Sequence, residues 1–241
     1  MNKLFLLILL PISISFAATI EEVSDYFDKR DVSFEGFENA RTAVELADEI
    51  VASETNSPEI AARALLFSCK AYYFLGDYLP ASRSEKKSEY QKGYLNCKKG
   101  IGLLELSFGK PKKGEWKNLL ADLYFMYTAN FGRWFEDEGR LDALRYWSKE
   151  VRPILELLAV DLKKEEIFGH GPLRALGRAW FSIPGGRNKA INYLKDAYQK
   201  SLHPSLGVSI YPLNTAFYAE ALIAKGEKEE AGRILEAAIE I

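Results

Sequence analysis

The sequence predicts an all-α protein built from helix hairpins, and three observations carry that prediction. Apolar residues recur at three- and four-residue steps through most of the chain, the period of a helix face rather than of a strand. Runs rich in Val, Ile and Thr with period two are absent. Glycines and a Pro-Gly-Gly corner interrupt the pattern where helices of ordinary length should end, since a helix commonly closes on a left-handed residue that glycine adopts without strain.

The N-terminus comes first. Lys3 precedes the apolar run Leu4 to Phe16, and Ser15-Phe16-Ala17 places small residues at alternate positions, the form of a secretory signal processed after Ala17. Thirteen residues broken by Pro11 fall short of the roughly twenty needed to span a bilayer. The expected organisation is a signal peptide, 1–17, and a single helical domain, 18–241, in a periplasmic or secreted protein. No lipoprotein cysteine stands at the processing site, the first cysteine being Cys69.

The stretch Leu173 to Ser201 shows one hairpin unit: a first helix, the corner Pro184-Gly185-Gly186, and a second helix with Ala190, Leu194 and Ala197 along one face. Residues seven apart lie two turns along the same side, and small ones there admit a neighbouring helix. The same spacing returns at Ala40, Val44, Ala47; at Gly93, Cys97, Gly100; at Leu144, Ser148, Val151; and at Ala231, Leu235, Ala238. Each of the last four second helices follows a first helix whose small residue precedes a turn glycine: Cys69 and Gly76, Gly132 and Gly139, Gly177 and Gly185, Ala219 and Gly226. An aromatic or large residue lies three beyond each small one, at Tyr72, Phe135, Trp180 and Leu222, and the three aromatics are read as core. The segment 77–89, rich in Ser, Lys and Glu, is expected as an insertion in the first complete unit.

Small residues in these places, with the following aromatic, resemble the tetratricopeptide repeat. That resemblance implies a right-handed helix-hairpin solenoid of degenerate repeats from about Ala40 to the C-terminus. The segments "YQKGYLNCKKGIGL", "ADLYFMYTANFGRW" and "GHGPLRALGRAWFSIPGG" are similar to the T component of tripartite ATP-independent periplasmic (TRAP) transporters. This narrower resemblance implies an exported helper that docks a solute-binding protein or holds a ligand. A general periplasmic adaptor, or an enzyme with a dispersed site, are the alternatives.

Charge and motifs restrict the function. The whole chain carries 32 basic and 34 acidic side chains, without the basic excess that phosphate neutralisation requires, so nucleic acid is not an expected partner. His170 and His203 each stand near a proline, away from any cysteine or carboxylate at ligand spacing; His170-Gly171-Pro172 reads as a helix start. The acidic run Glu136, Asp137, Glu138 with Asp142 lacks alternating ligand spacing and reads as a solvated turn. Gly185-Gly186-Arg187 has no Lys-Ser/Thr to make a phosphate loop, and no G-x-S-x-G elbow is present. No catalytic residue, metal site or cofactor is expected, and the chain is read as a binding protein rather than an enzyme. Cys69 and Cys97 fall on paired helices of one unit; a reduced buried pair is the expectation and a bridge the alternative.

In a helix-pair solenoid the first helices line the concave wall, and binding positions lie one residue past the small position and at related turns. That selects Lys70, Arg133, Arg178 and Glu220, with Arg63, Arg174, Tyr73 and Phe181. Five of these eight are basic, which suits an acidic ligand or an acidic segment of a protein partner because guanidinium grips carboxylate at two points.

Overall fold

The computed structural model describes residues 18–109, 116–136, 140–161 and 169–239; the expected signal segment 1–17 lies outside them. The helices are α1 (Ile20–Asp28), α2 (Phe34–Ala52), α3 (Pro58–Tyr78), α4 (Arg83–Phe108), α5 (Trp116–Phe135), α6 (Arg140–Tyr146), α7 (Arg152–Glu156), α8 (Gly171–Ser182), α9 (Arg187–Lys200), α10 (Pro212–Lys225) and α11 (Lys228–Ile239). Among the described residues there is no strand, only an isolated bridge from Leu202 to Ser209. No described helix is long and apolar enough to cross a membrane.

Local chemistry sets the helix starts. Thr19 and Glu22 form a capping box at α1, and Ser82 and Glu85 another at α4, each satisfying backbone donors that the first turn leaves open. Ser33 and Ser57 accept from backbone N–H groups at the starts of α2 and α3, the latter with Pro58 in its first turn. α8 begins at His170-Gly171-Pro172 as its sequence implied, although His170 itself sits in the left-handed region at φ 59°. Gly226 ends α10 at φ 97°, the left-handed cap that the turn-glycine rule anticipates.

Adjacent helices pack on one another, and the core runs as a row of clusters in chain order. Val23, Phe27, Ala40, Ala47 and Leu75 join α1 to α3. Leu66, Leu104, Leu123, Phe131, Leu155 and Leu176 continue through α4, α5, α7 and α8. Leu194, Tyr218, Leu222 and Ile234 close α9 to α11. Full burial of a Leu or Phe side chain contributes about 1.5 to 3 kcal/mol, so each cluster, not the helix propensities, decides where neighbouring helices lie.

Several small-residue positions pack as the spacing implied. A Cβ on Gly177 would meet Leu194 Cγ at 2.5 Å and Ala190 O at 3.2 Å. Ala40, Ala47, Ala190, Ala197 and Ala231 are buried. Other positions depart from the expectation. A Cβ on Gly132 would meet nothing within 4 Å; the inward side of α5 is carried instead by Asn130, against Gly93, and Leu123, against Gly100. Gly76 is not a turn residue but lies inside α3, where its missing side chain makes room for the Tyr90 ring. Ala238 is exposed. Gly139 lies outside the described residues.

The second helix of the third unit is the most irregular. Leu144 and Ser148 are exposed, and only Val151 of that trio is buried. Here α6 widens into a π-helical turn, Trp147–Val151, before α7 and another, Leu157–Asp161, after it. Pro153, between the two, has no N–H to give to the carbonyl four residues back, which breaks the regular ladder there. The segment 77–89 holds the end of α3, the corner 79–82 and the first turns of α4.

Cys69 on α3 and Cys97 on α4 are joined in a disulfide with Cα atoms 5.7 Å apart. This overturns the reduced pair expected above. Gly93 and Gly100 let α4 approach its neighbours closely, and the resulting Cα distance falls inside the bridging range of about 4.4 to 6.8 Å, a quantity that residue spacing does not encode.

Candidate functional site

The eight positions selected from the sequence lie on α3, α5, α8 and α10, and fall into three groups. The first surrounds Asp77 at the end of α3. Arg133 of α5 donates to Asp77 Oδ1 from Nε at 3.1 Å and from a terminal nitrogen at 2.8 Å, and its other terminal nitrogen reaches Glu136 at 2.6 Å. Tyr90 of α4 donates its hydroxyl to the same Asp77 oxygen at 2.5 Å and accepts from Arg133 Nε at 3.3 Å. The Tyr73 ring packs edge-on against Tyr90 with centroids 5.9 Å apart. Burial, then the Asp77 carboxylate, pushes the Tyr73 hydroxyl up to about 12. Burial opposes the charge on Arg133, but its bonds to Glu136 and Asp77 outweigh that and raise its pKa further.

The second group sits between α8 and α10. Arg178 pairs with Glu220, and its guanidinium lies 4.4 Å from the Phe217 ring centroid and 5.9 Å from that of Phe181. Both partners of the ion pair are substantially exposed, while Phe181 and Phe217 lean on the α9–α11 core. One helical turn earlier, Arg174 donates from one nitrogen to Gly169 O at 3.0 Å and to Asn214 Oδ1 at 2.7 Å. Asn214 is wholly buried and donates in turn to Gly169 O, Ala197 O and the Ser201 hydroxyl. Burial lowers the Arg174 pKa, with the Tyr73 and Tyr211 hydroxyls opposing. Tyr73 of α3 and Arg174 of α8 therefore come within electrostatic reach of one another, although α4 to α7 lie between their helices in sequence.

The third group stays apart. Lys70 is half-buried, with its Nζ 5.4 Å from the Phe67 ring; burial lowers its pKa and Asp122 of α5 is its largest opposing charge. Arg63 is exposed and bonded to Glu59 on its own helix at 2.7 Å, so it joins neither cluster.

Sequence reasoning selected the cations and missed the residues that hold them. Asp77 lies one turn past Tyr73, and Phe217 one turn before Glu220, so the rule that found Tyr73 and Glu220 would have reached them too. Tyr90 and Asn214 carried no such signal, because Tyr90 belongs to a second helix and Asn214 to the first turn of α10. Of the aromatics read as core, Phe135 is buried and Tyr72 packs against the first cluster, whereas Trp180 is half-buried with Lys189 Nζ 4.3 Å from its ring. His203 Nδ1 accepts from the Ser205 backbone at 3.3 Å, a loop contact. Among the described residues no group of three or more His, Cys, Asp or Glu is placed to hold a metal ion. The described residues thus define an all-helical protein whose adjacent helices pack on one another, with one cluster of paired charge around Asp77 and another of paired charge and aromatic rings between α8 and α10. No family model, curated protein or solved structure matches the chain.

Proposed function

We propose that the chain is an exported, non-enzymatic scaffold of tetratricopeptide-like repeats that binds an acidic segment of a protein partner along α8 and α10. Its most specific form is a TRAP-type helper docking a periplasmic solute-binding protein. The observation that carries this reading is the exposed Arg178–Glu220 pair set against Phe181 and Phe217. An exposed ion pair contributes only about 0 to 1 kcal/mol, whereas a charge-assisted bond in a desolvated interface contributes about 1.5 to 3 kcal/mol. A partner carboxylate that displaces Glu220 from Arg178 is therefore favoured, and the two rings supply apolar surface beside the charge.

Arg133 has a different part. Its two carboxylates and the Tyr90 hydroxyl engage all three of its nitrogens, so displacing them costs more than a partner returns, and it serves as a strut between α3 and α5. The disulfide supports export, since such bridges persist in oxidising compartments. Co-purification from the exported fraction tests the reading: a solute-binding protein should accompany the wild type and be lost with Arg178→Glu. Retention of that partner by Arg178→Glu, or its absence from the wild type, would refute it.

A further inference from the structure

Charge is unevenly spread along the chain, and the basic excess falls on the helices that hold Arg178. Residues 169–226 carry seven lysines and arginines against two carboxylates, Asp196 and Glu220, a net charge of +5 within a chain whose net charge is −2. α8 has no carboxylate, and α10 has only Glu220. Three arginines mark an edge along α10. Arg174 holds Asn214 Oδ1 at 2.7 Å, Arg178 pairs with Glu220, and Arg187, from the first turn of α9, donates to the Ala224 carbonyl at 3.4 Å. Arg174 is committed to holding α8 against α10, so the charge within a partner's reach is that of Arg178, 40% exposed along its side chain, and of Arg187, also exposed.

Beside this edge α10 turns an apolar strip outward. At 100° per residue, Leu213, Ala216, Glu220 and Ile223 fall within about 80° of one another. Leu213 is 55% exposed and Ile223 48% exposed. Ala216 is exposed between them, and Glu220, the one charge on the strip, is turned to Arg178. Leu213 and Ile223 stand about 15 Å apart along the axis, and Glu220 and Ala224 about 6 Å. The Phe217 ring lies between the strip and the arginines, 4.4 Å from the Arg178 guanidinium.

We infer that the segment received here is an amphipathic α-helix lying along α10, an inference that rests on the function proposed above and gives the partner its form. Carboxylates at positions i and i+4 of such a helix are about 6 Å apart along its axis, the same step that separates the Arg178 and Arg187 stations on α10. Its apolar side covers Leu213, Phe217 and Ile223, and its acidic edge complements the local +5 charge. An extended segment fits less well, because strand addition needs an open sheet edge and the described residues present helices. A bilayer would cover the leucine and the isoleucine, but its headgroups set no axial step to match the two arginines.

The test uses the purified full chain and fluorescence anisotropy with two labelled synthetic peptides of three heptads. One carries leucine along one face and glutamate at i and i+4 along one edge; the other is the same peptide with a proline at its centre. Saturable binding of the first is expected, with at least tenfold weaker binding of the proline peptide. Leu213→Gln with Ile223→Gln should also weaken the first peptide at least tenfold while leaving the melting temperature unchanged, since both side chains are exposed. Equal binding of the two peptides, each lost with Arg178→Glu, overturns the helix and leaves the acidic-segment reading standing. Failure of the first peptide to bind, or its unchanged affinity for the Leu213→Gln, Ile223→Gln variant, also overturns the inference, while co-purification of the solute-binding protein judges the proposed function separately. Binding to phosphatidylglycerol vesicles, with no peptide binding, overturns it in favour of a membrane surface.

Discussion

Arg133 holds Asp77 across two helices, with both Nε and a terminal nitrogen on one carboxylate oxygen at 3.1 and 2.8 Å. The pair fixes the end of α3 to the end of α5, and Tyr90 adds α4 through the same oxygen. A residue first read as part of a binding wall is thereby a clamp.

That clamp predicts a stability difference between two arginines. Arg133→Ala should cost about 1 to 2 kcal/mol, because it leaves a part-buried carboxylate without its charged donor. Arg178→Ala should cost under about 1 kcal/mol, since its pair with Glu220 is exposed. Urea unfolding of the two variants checks this, and equal costs would dissolve the distinction between strut and binding residue.

Glycine positions separate packing from open surface. Gly177→Ala should destabilise by about 1 to 3 kcal/mol, because the new methyl meets Leu194 and the Ala190 carbonyl. Gly132→Ala should stabilise by about 0.5 to 1 kcal/mol, because the position is open and alanine is the better helix former. Thermal melts of both variants decide it. Destabilisation by Gly132→Ala would restore the close-packed role that the sequence spacing suggested.

The Cys69–Cys97 bridge closes a loop of 28 residues. In the chain-entropy account, such a loop stabilises by about 3 to 4 kcal/mol. Unfolding in urea with and without reductant should show that difference. Two free thiols counted in protein denatured without reductant would exclude the bridge.

Alkaline pH should unfold the chain. Burial, reinforced by Asp48, raises the Tyr72 pKa from 10 to about 12; burial with Asp77 does the same to Tyr73, and burial with Glu150 to Tyr127. A group whose folded pKa is raised stabilises fully below its unfolded value, and that stability is lost as pH climbs through the folded one. Stability should therefore fall between about pH 10 and 12, with tyrosinate absorbance rising together with loss of helical circular dichroism. Smooth tyrosine titration near pH 10 in a still-helical chain would contradict these assignments.

The hairpin order was legible because it rests on period and punctuation. The pairing of Gly177 with Ala190 and the left-handed end at Gly226 both follow from residue type and spacing alone. The third unit was not, because two π-helical turns flank Arg152–Glu156 and shift the helix register, which residue spacing does not encode, and Leu144 and Ser148 are exposed there. The wall was half legible. Position along a helix selects Arg133, Arg174 and Arg178, but whether each cation faces solvent or a carboxylate depends on contacts such as Asp77 to Arg133, 56 residues apart in sequence, which no local pattern records. The disulfide was hidden for the same reason: a Cα separation of 5.7 Å is a property of helix packing.

The central claim is that a partner's acidic segment lies on α8 and α10 beside Arg178. Its most direct test is site-specific photocrosslinking in the exporting cell, with a photoreactive phenylalanine analogue at Phe217 in one strain and at Asn192, on the exposed side of α9, in another. The account predicts one discrete adduct at Phe217, identified by mass spectrometry as an exported solute-binding protein, and none of that product at Asn192. The same adduct from both positions, or no adduct from Phe217 while the protein is expressed and folded, would contradict it.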